Sequence, residues 1–389
     1  MRRKGGLGMS EWKKVKLGEV CDTQYGFTAS TVQQDTGTQF LRITDIVPQL
    51  IDWNTVPYCQ IQEKDREKYL LHKGDIVVAR TGATVGYAKY IKEDVPAVFA
   101  SYLVRLLVNS IDVDRHYVGL CVESNLFKEY IQSISNGSAQ PNANAQMISS
   151  FEINLPPLST QHRIATILSR YDSLIENYQK QIKLLEEAAQ RLYKEWFIDL
   201  RFPGHENTKI VDGVPEGWTP SQLGQLVEFK RGKTITKKDV IDGDIPVVAG
   251  GLEPAYYCNK SNTAERVITV SGSGANAGFT RMYFEKVWAS DCSFVDVSVT
   301  PFLHFIYCYL KDNKTTIDNM QKGAAQPHVY AKDINSMELC IPIESVIKSF
   351  ERTASKYFDT ISSLQYQIRL ITEARDRLLP KLMSGEITV

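Results

Sequence analysis

The chain contains two copies of one sequence pattern. The stretch that begins at Trp12 corresponds to the stretch that begins at Trp218, 206 residues later. From segment 137–141 (GSAQP) against segment 323–327 (GAAQP) onward, the offset is 186 residues and stays constant to the end of each copy. Two copies are fewer than the three or more short repeats that a stacked solenoid needs. The pattern therefore predicts a duplicated domain, with loop deletions accounting for the change in offset.

Each copy ends in a long predicted helix. Apolar residues recur in alternating steps of four and three from Ile164 to Trp196, and the equivalent positions from Phe350 to Leu382 repeat this seam with only Arg375 interrupting it. This spacing is typical of a coiled coil. Each helix would have about 40 residues and a length of roughly 60 Å. The duplication favours an antiparallel pair, in which the two helices form a spacer between two globular copies.

The globular copies are predicted to be mixed α/β. Short β-rich runs cover 40–46, 75–79, 267–270 and 293–297, and 117–134 and 302–319 are predicted helices. The predicted fold class is α+β, with two duplicated mixed α/β domains separated by two long antiparallel coiled-coil helices. The predicted division of the chain is an N-terminal extension (1–11), a globular domain (12–157), a helix (158–200), a linker (201–217), a second globular domain (218–343) and a second helix (344–385).

Composition limits the possible partners. The 45 Lys and Arg residues equal the 45 Asp and Glu residues in number, so nucleic acid could be bound only through a local basic surface. The seven cysteines form no C-x-x-C pair, which disfavours a zinc ribbon or a disulfide framework and fits a reducing cytoplasm. No apolar run approaches the roughly 20 residues that span a bilayer. We expect a soluble cytoplasmic protein without a membrane partner.

Catalytic motifs are not apparent in the sequence. Segment 272–278 misses the dinucleotide-binding pattern G-x-G-x-x-G by one position, and Ser273 lacks the flanking glycines of a nucleophile elbow. Glu228 and Lys230, downstream of Asp212, resemble the acidic and basic residues of a metal-dependent nuclease, but the first copy has no equivalent lysine. The six histidines show no H-E-x-x-H pattern. The chain is therefore expected to be non-catalytic and to bind no metal.

A local cluster of charge favours nucleic-acid binding. The segment 230–238 carries five cations in nine residues, which could neutralise phosphates or could simply form a solvated loop. Polar turns with small and basic residues recur in both copies, and Arg, Gln and Asn are the side chains that read base edges. The candidate DNA contacts are Gln24, Tyr25, Arg42, Arg80, Thr81, Thr84, Lys89, Gln140, Asn142 and Asn144 in the first copy and Lys230, Arg231, Lys233, Lys237, Lys238, Ser273, Asn276, Arg281, Gln326 and His328 in the second.

Four segments together resemble the specificity subunit of type I restriction-modification enzymes. They are 12–18 (WKKVKLG), 74–86 (GDIVVARTGATVG), 137–142 (GSAQPN) and 155–164 (LPPLSTQHRI), the last of which leads into the long helix. The second copy repeats the pattern, so the resemblance covers nearly the whole chain. The second copy departs from it at the start of its helix (IPIESVI), where the second proline and the Gln-x-Arg element are missing.

The resemblance implies that this chain recognises DNA and that partner subunits perform the chemistry. Each globular copy would be a target recognition domain for one half of a bipartite DNA sequence, and the paired helices would set the gap and dock two methylation subunits. Restriction subunits with motor and nuclease activity would complete the complex. S-adenosylmethionine, ATP and Mg²⁺ would belong to those partner chains and not to this one. The candidate docking positions on the helices are Gln161, Arg163, Ile164, Tyr171, Tyr178, Tyr357 and Leu364.

Two other hypotheses belong to different classes of protein. A duplicated coiled-coil scaffold that binds only proteins would have no affinity for duplex DNA. A self-sufficient methyltransferase or nuclease would require the catalytic motifs that the sequence lacks.

Overall fold

Two units make up the chain, and each contains one globular copy with parts of both long helices. Unit 1 comprises the residues up to Glu176 together with Arg369–Val389, and unit 2 comprises Asn177–Ile368. The computed structural model describes residues 12–135, 141–322 and 327–389. The predicted extension 1–11 therefore lies outside the described residues, as do the candidate contacts Gln140 and Gln326.

Unit 1 contains two four-stranded sheets. One has the strand order β2-β9-β6-β7 and is antiparallel, the other has the order β3-β5-β4-β8 with a parallel β4–β8 pair, and β1 pairs with β10. The strands are β1 (Lys13–Lys16), β2 (Cys21–Tyr25), β3 (Thr31–Val32), β4 (Gln39–Leu41), β5 (Tyr58–Cys59), β6 (Ile76–Ala79), β7 (Ala88–Tyr90), β8 (Ala97–Phe99), β9 (Leu103–Val108) and β10 (Glu152–Leu155). The helices are α1 (Leu17–Val20), α2 (Glu63–Tyr69), α3 (Arg115–Val122), α4 (Asn125–Ser135), α5 (Ala145–Ser149) and the long α6 (Leu158–Tyr193), which continues into unit 2.

Unit 2 repeats this plan in shorter form. Its antiparallel sheet has the order β14-β20-β17-β18, a three-stranded sheet has the order β16-β15-β19, and β13 pairs with β21 as β1 does with β10. The strands are β11 (Ile210–Val211), β12 (Val214–Pro215), β13 (Thr219–Gln222), β14 (Lys230–Arg231), β15 (Ile245–Val248), β16 (Tyr256–Cys258), β17 (Val267–Ser271), β18 (Thr280–Tyr283), β19 (Trp288–Ala289), β20 (Cys292–Asp296) and β21 (Glu338–Ile341). The helices are α7 (Leu223–Leu226), α8 (Leu303–Asp312), α9 (Lys314–Asn319), α10 (Ala331–Asn335) and α11 (Glu344–Ser384).

The apolar seam of the long helices is buried as predicted. At the start of α6, Ile164 and Leu168 share the core of unit 1 with Leu382 from the end of α11. At the end of α6, Tyr193 contacts Phe350 from the start of α11 in unit 2, with their ring centroids 6.2 Å apart. The helix segments therefore run in opposite directions within each unit. A π-helical segment, Lys194–Ile198, extends α6, which therefore ends close to the predicted boundary.

Several predicted elements were too long. The predicted strand 40–46 ends at Leu41, because the Asp45 carboxylate accepts hydrogen bonds from the backbone and side chain of Arg42 and closes a turn. The predicted helices 117–134 and 302–319 are each broken into two, α3 with α4 and α8 with α9. All seven cysteines are unpaired. Within the described ranges, no helix combines the length and apolarity that crossing a bilayer requires.

Arg375, the residue that interrupts the second seam, has a partner on the other helix. Its Nη1 lies 2.8 Å from the Asp172 carboxylate of α6, and the two side chains are only 22% and 15% exposed. By the 186-residue offset, the equivalents of Asp172 and Arg375 are Phe358 and Ala189, both buried in the core of unit 2. The duplication therefore places an ion pair in unit 1 where unit 2 has two apolar residues.

We predict strong coupling between Arg375 and Asp172. Arg375→Ala leaves a largely buried carboxylate without its partner and should lower the free energy of unfolding by about 1–3 kcal/mol. In a double-mutant cycle with Asp172→Ala, measured by urea unfolding, the second substitution should cost much less than it does alone. Arg377→Ala, which breaks only the exposed pair with Glu373, is the control and should cost less than about 0.5 kcal/mol. Additive effects of the two substitutions would contradict the prediction.

Candidate nucleic-acid interface

The polar turns recognised in the sequence pair with one another in both units. In unit 1 the Gly82 amide donates to the Pro141 carbonyl (3.0 Å) and the Ala143 amide donates to the Arg80 carbonyl (2.8 Å). In unit 2 the Gly274 amide donates to Pro327 (3.0 Å). The Val329 amide donates to the carbonyl of residue 272 (3.1 Å), the equivalent of residue 80. We call these surfaces paired turn 1 (80–84 with 141–144) and paired turn 2 (272–276 with 327–330).

Glycine is needed at one position of each turn for its backbone conformation. Gly82 has a φ of +70° and Gly274 a φ of +80°, and each begins a single turn of 3₁₀ helix, Gly82–Thr84 and Gly274–Asn276. An added Cβ would meet no atom within 4 Å at either site, so packing does not explain the glycine. The left-handed backbone does, because L side chains rarely adopt it. The two units therefore share one backbone frame for presenting different side chains.

Paired turn 1 carries an arginine stacked on an aromatic ring. The Arg80 guanidinium lies 4.9 Å from the centroid of the Tyr25 ring, and its Nη2 donates to Asn142 Oδ1 at 3.3 Å. Its Nε is buried and has no hydrogen-bond partner among the described residues. The Tyr25 hydroxyl accepts a hydrogen bond from the Ala145 amide at 3.0 Å. Tyr25, Arg80 and Asn142 are thus brought together, and the guanidinium keeps donors for a further partner.

The other candidate residues of paired turn 1 have local hydrogen bonds. Asn144 caps α5, because its Oδ1 accepts from the Met147 amide at 2.8 Å. The Thr84 hydroxyl donates to the Thr81 carbonyl at 3.3 Å. Asn144 is exposed and the two threonines are half-buried. These three residues lie on the surface of the turn, but their side chains also stabilise it.

Two candidates are turned towards other parts of unit 1. Gln24 Oε1 accepts from Nε of Arg105 at 3.0 Å, and Arg105 is buried in an ion pair with Asp75. Arg42 makes two hydrogen bonds, 3.0 and 2.7 Å long, to the Asp45 carboxylate. The structure does not bring Gln24 or Arg42 into the group around Arg80.

Lys89 makes a contact within its own unit. It is only half-exposed, its Nζ donates to the Gln49 carbonyl at 2.9 Å, and burial lowers its pKa. The structure therefore does not bring Lys89 into the group around Arg80, because its side chain is directed to the segment around Gln49.

The cationic side chains of the basic segment of unit 2 are exposed. Lys230 and Arg231 form β14, Lys233 follows in a loop, and Lys237 and Lys238 begin a single turn of 3₁₀ helix, Lys237–Asp239. Gly232 lets the loop approach its neighbour, since a Cβ there would lie 2.4 Å from the Ser290 carbonyl oxygen. The Gly232 amide also donates to Cys292. The segment is therefore anchored by its backbone and leaves its cations free for phosphates.

Paired turn 2 presents a serine, a carboxylate and two stacked rings. The Ser273 hydroxyl donates a hydrogen bond to the carboxylate of Asp291. His328, bridged to Ser273 through the backbone, stacks on Tyr330 with ring centroids 5.8 Å apart and planes 9° apart. Ser273 and His328, both candidates from the sequence, are thus brought together.

Asn276 and Arg281 support a neighbouring loop. Asn276 Nδ2 donates to the Gly250 carbonyl at 3.4 Å, and Arg281 Nη1 donates to the Leu252 carbonyl at 2.9 Å. Arg281 also lies over the ring of Tyr283. Both side chains hold segment 250–252 against the turn, which is a positioning role.

Sequence reasoning missed three exposed or half-exposed residues of these surfaces, Tyr102, Asp291 and Tyr330. The Tyr102 carbonyl accepts from the Arg80 amide and the Asp291 carbonyl from the Gly272 amide, each at 3.0 Å, so the two residues occupy equivalent positions. Tyr102 is 58% exposed. The signal was present, because both residues directly follow the Ala-Ser pairs that align at 100–101 and 289–290.

The candidate docking residues fall into two groups. Ile164 and Leu364 are buried seam residues, and Gln161 is 1% exposed, so these three cannot meet a partner and that prediction was wrong for them. Arg163 is exposed, and three tyrosines are half-exposed, namely Tyr171, Tyr178 and Tyr357. The seam spacing identifies the face that the helices bury in their own chain, and not the face that they leave to partners.

Gln161 joins the start of α6 to the globular part of unit 1. Its Oε1 accepts from the Asp114 amide at 2.8 Å, and its Nε2 donates to the carbonyls of Asp112 (3.1 Å) and Pro156 (2.8 Å). All three bonds are to backbone atoms. The Gln-x-Arg element of the helix start therefore contains a structural glutamine.

The comparisons with known proteins agree with this architecture. The family described as "Type I restriction modification DNA specificity domain" matches residues 9–187 and 215–376. The type I restriction enzyme MjaIX specificity subunit of Methanocaldococcus jannaschii is 28% identical over 82% of this chain and 78% of its own length. The HindI specificity subunit of Haemophilus influenzae is 23% identical over 97% of this chain and 100% of its own length.

A solved structure shares the fold. The crystal structure of a type I restriction-modification S subunit from M. genitalium superposes with a TM-score of 0.54 at 16% identity, covering 98% of this chain and 99% of that one. The predicted fold class is confirmed. The chain belongs to the family of type I restriction-modification specificity subunits, as the sequence motifs indicated.

We predict that Gln161→Ala acts on stability and not on partner binding. Loss of the side chain removes three hydrogen bonds to backbone atoms from a residue that is 1% exposed, which should lower the free energy of unfolding by about 1–3 kcal/mol. Arg163→Ala, two residues along the same helix and exposed, is the control and should change it by less than about 0.5 kcal/mol. Thermal or urea unfolding measures both. Equal stability of the two variants would show that Gln161 has no such structural role.

Proposed function

We propose that each unit reads one half of a bipartite DNA sequence through its paired turn. The observation that carries the proposal is the backbone frame shared by the two paired turns, with different side chains on the same positions. Residue 80 is an arginine in unit 1, and its equivalent, residue 272, is a glycine in unit 2. A duplicated reader of two different half-sites needs a constant frame with variable contacts. A scaffold that binds only proteins would not require a segment with five exposed cations beside it.

The side chains of paired turn 1 fit direct reading of a base. Arginine pairs in two hydrogen bonds with the O6 and N7 atoms of guanine, and asparagine does the same with adenine. The stack on Tyr25 holds the Arg80 guanidinium in place before DNA arrives, which lowers the entropy lost on binding. Asn142 is exposed beside it. We assign Arg80 and Asn142 as base readers and Tyr25 as the platform that positions Arg80.

The exposed cations of unit 2 would bind phosphates. Lys230 and Arg231 lie close to paired turn 2, because β14 pairs with β20 and Asp291 immediately precedes β20, and Lys233, Lys237 and Lys238 follow in the same segment. Contacts of this kind give affinity without sequence preference. Since the chain has no net charge, they would also orient the DNA towards this surface.

The long helices would set the gap between the half-sites and dock partner subunits. α6 and α11 have 36 and 41 residues, which corresponds to about 54 and 62 Å at about 1.5 Å per residue. One turn of DNA measures about 34 Å, so a spacer of this length suits half-sites more than one turn apart. Leu184 and Leu370 occupy equivalent positions and are 63% and 45% exposed. Two equivalent exposed leucines suit two copies of one methylation subunit.

The chemistry would be performed by the partner chains. The sequence contains no catalytic motif, and the described residues include no group of three or more possible metal ligands. We propose that this chain is non-catalytic and acts in the cytoplasm. The methylation subunits would bind S-adenosylmethionine, and restriction subunits would use ATP and Mg²⁺.

A methylation map tests the proposal. The chain is co-expressed, in a host without such methylation, with the adenine methylation subunit that we expect to be encoded beside it, and modified adenines are mapped across the genome. We expect a split motif with a fixed gap, and exchange of residues 12–157 for those of another family member should change one half of the motif only. An assembled complex that adds no methylation and binds no duplex would overturn the proposal in favour of the protein-interaction scaffold.

A second prediction concerns the basic loop. Lys233→Ala or Lys237→Ala should weaken binding of the complex to all duplexes by a similar factor and reduce the slope of log K against log salt by up to about 0.9 each. Lys286→Ala is the matched control, because Lys286 follows β18 at the end of the strand opposite to paired turn 2 and is also exposed. Fluorescence anisotropy at several salt concentrations measures the slope. An unchanged slope in both loop variants would refute the phosphate contacts.

A further inference from the structure

We propose that Asp291 is a specificity residue of unit 2, which selects a base carrying an exocyclic amino group, cytosine or adenine, in its half-site. The inference rests on the proposed function, since it assumes that paired turn 2 faces DNA. It adds which partner of the contact donates the hydrogen bond and which accepts it. Unit 1 would read with a donor, Arg80, and unit 2 with an acceptor.

The position of Asp291 supports this role. Its carbonyl accepts from the Gly272 amide at 3.0 Å, as the Tyr102 carbonyl accepts from the Arg80 amide in unit 1. Its carboxylate therefore belongs to the same surface that presents Arg80 in the other copy. Gly272 leaves room for it, because a Cβ at position 272 would lie 3.1 Å from Asp291 Oδ1. The arginine of one unit is thus replaced by a glycine that accommodates a carboxylate.

The Asp291 carboxylate is oriented by a hydrogen bond but makes no ion pair among the described residues. The Ser273 hydroxyl donates to Oδ2 of Asp291, and Ser273 is itself held by its backbone bridge to His328. Among the described residues Asp291 makes no ion pair, although Arg231 lies on the strand that pairs with β20. Asp291 is half-exposed. Oδ1 therefore remains available as an acceptor at the surface.

Electrostatics restricts what such a group can bind. A carboxylate is repelled by phosphates, and an ionised one can only accept hydrogen bonds. In the major groove the donors are the N4 amino group of cytosine and the N6 amino group of adenine, whereas guanine O6 and thymine O4 are acceptors. Asp291 should therefore favour cytosine or adenine at one position and reject guanine and thymine there.

The test uses the complete complex of this chain with its methylation subunits. Binding is measured for duplexes with every single-base change in the half-site of unit 2. Asp291→Ala should reduce discrimination at one position by about tenfold, and Asp291→Asn should newly admit thymine or guanine there, because the amide can donate to O4 or O6. Ser273→Ala should weaken discrimination at the same position to a smaller degree, since it removes the group that orients the carboxylate.

Two controls separate this inference from the effect of charge and from misfolding. Asp242→Asn removes an exposed negative charge elsewhere in unit 2 and should change binding to all duplexes uniformly. The half-site of unit 1 reports folding, because its base preferences should be unchanged in every Asp291 variant. The position at which the effect appears also identifies whether the selected base is cytosine or adenine.

The outcomes are distinct for the two proposals. If the wild-type complex assembles but binds no duplex selectively, the proposed function fails, and this inference fails with it. If the wild-type complex selects a split motif and the Asp291→Ala and Asp291→Asn profiles match the wild type at every position, the role of Asp291 alone is overturned.

Discussion

Burial of the apolar seam of the two long helices is the constraint on which both units depend. Ile164 of α6 and Leu382 of α11 complete the core of unit 1, whereas Tyr193 and Phe350 lie in the core of unit 2. Helices gain most of their stability in proteins from such packing and little from propensity. Each core therefore contains residues from the long helices of both sequence copies. The end of the chain is structurally part of unit 1, although most of unit 1 precedes Glu176.

In the paired turns the backbone fixes the conformation and the side chains supply the differences between the units. In both paired turns the backbone hydrogen bonds are the same, and a glycine with positive φ (Gly82 or Gly274) starts the turn. Changing an exposed side chain on such a frame costs little stability, because the frame is stabilised by the backbone and by the core beneath it. One unit can therefore present Arg80 and the other Asp291 without any change of fold. Recognition can diverge while the architecture is retained.

The sequence predicted what depends on local pattern and on duplication. The constant offset identified the long helices, and the repeated turns led to the surfaces around Arg80 and Ser273. Burial of individual polar residues could not be predicted, because it depends on packing between elements distant in sequence. Gln161, which is buried, bonds to three backbone groups, and Lys89 donates to the distant Gln49 carbonyl. Asp291 was missed although it directly follows an aligned Ala-Ser pair, because its role depends on the contact with Ser273, which only the fold brings about.

The ion pair between Arg375 and Asp172 shows how the helix pair can be specific as well as stable. Buried ion pairs often contribute little net stability compared with apolar residues, and the apolar equivalents in unit 2, Ala189 and Phe358, are buried there without one. An ion pair tolerates much less misalignment than an apolar contact, because a displaced helix would leave both charges buried without partners. Arg375 and Asp172 therefore penalise any other register of α6 and α11. A helix pair that contributes to the cores of both units needs that single register more than it needs additional stability.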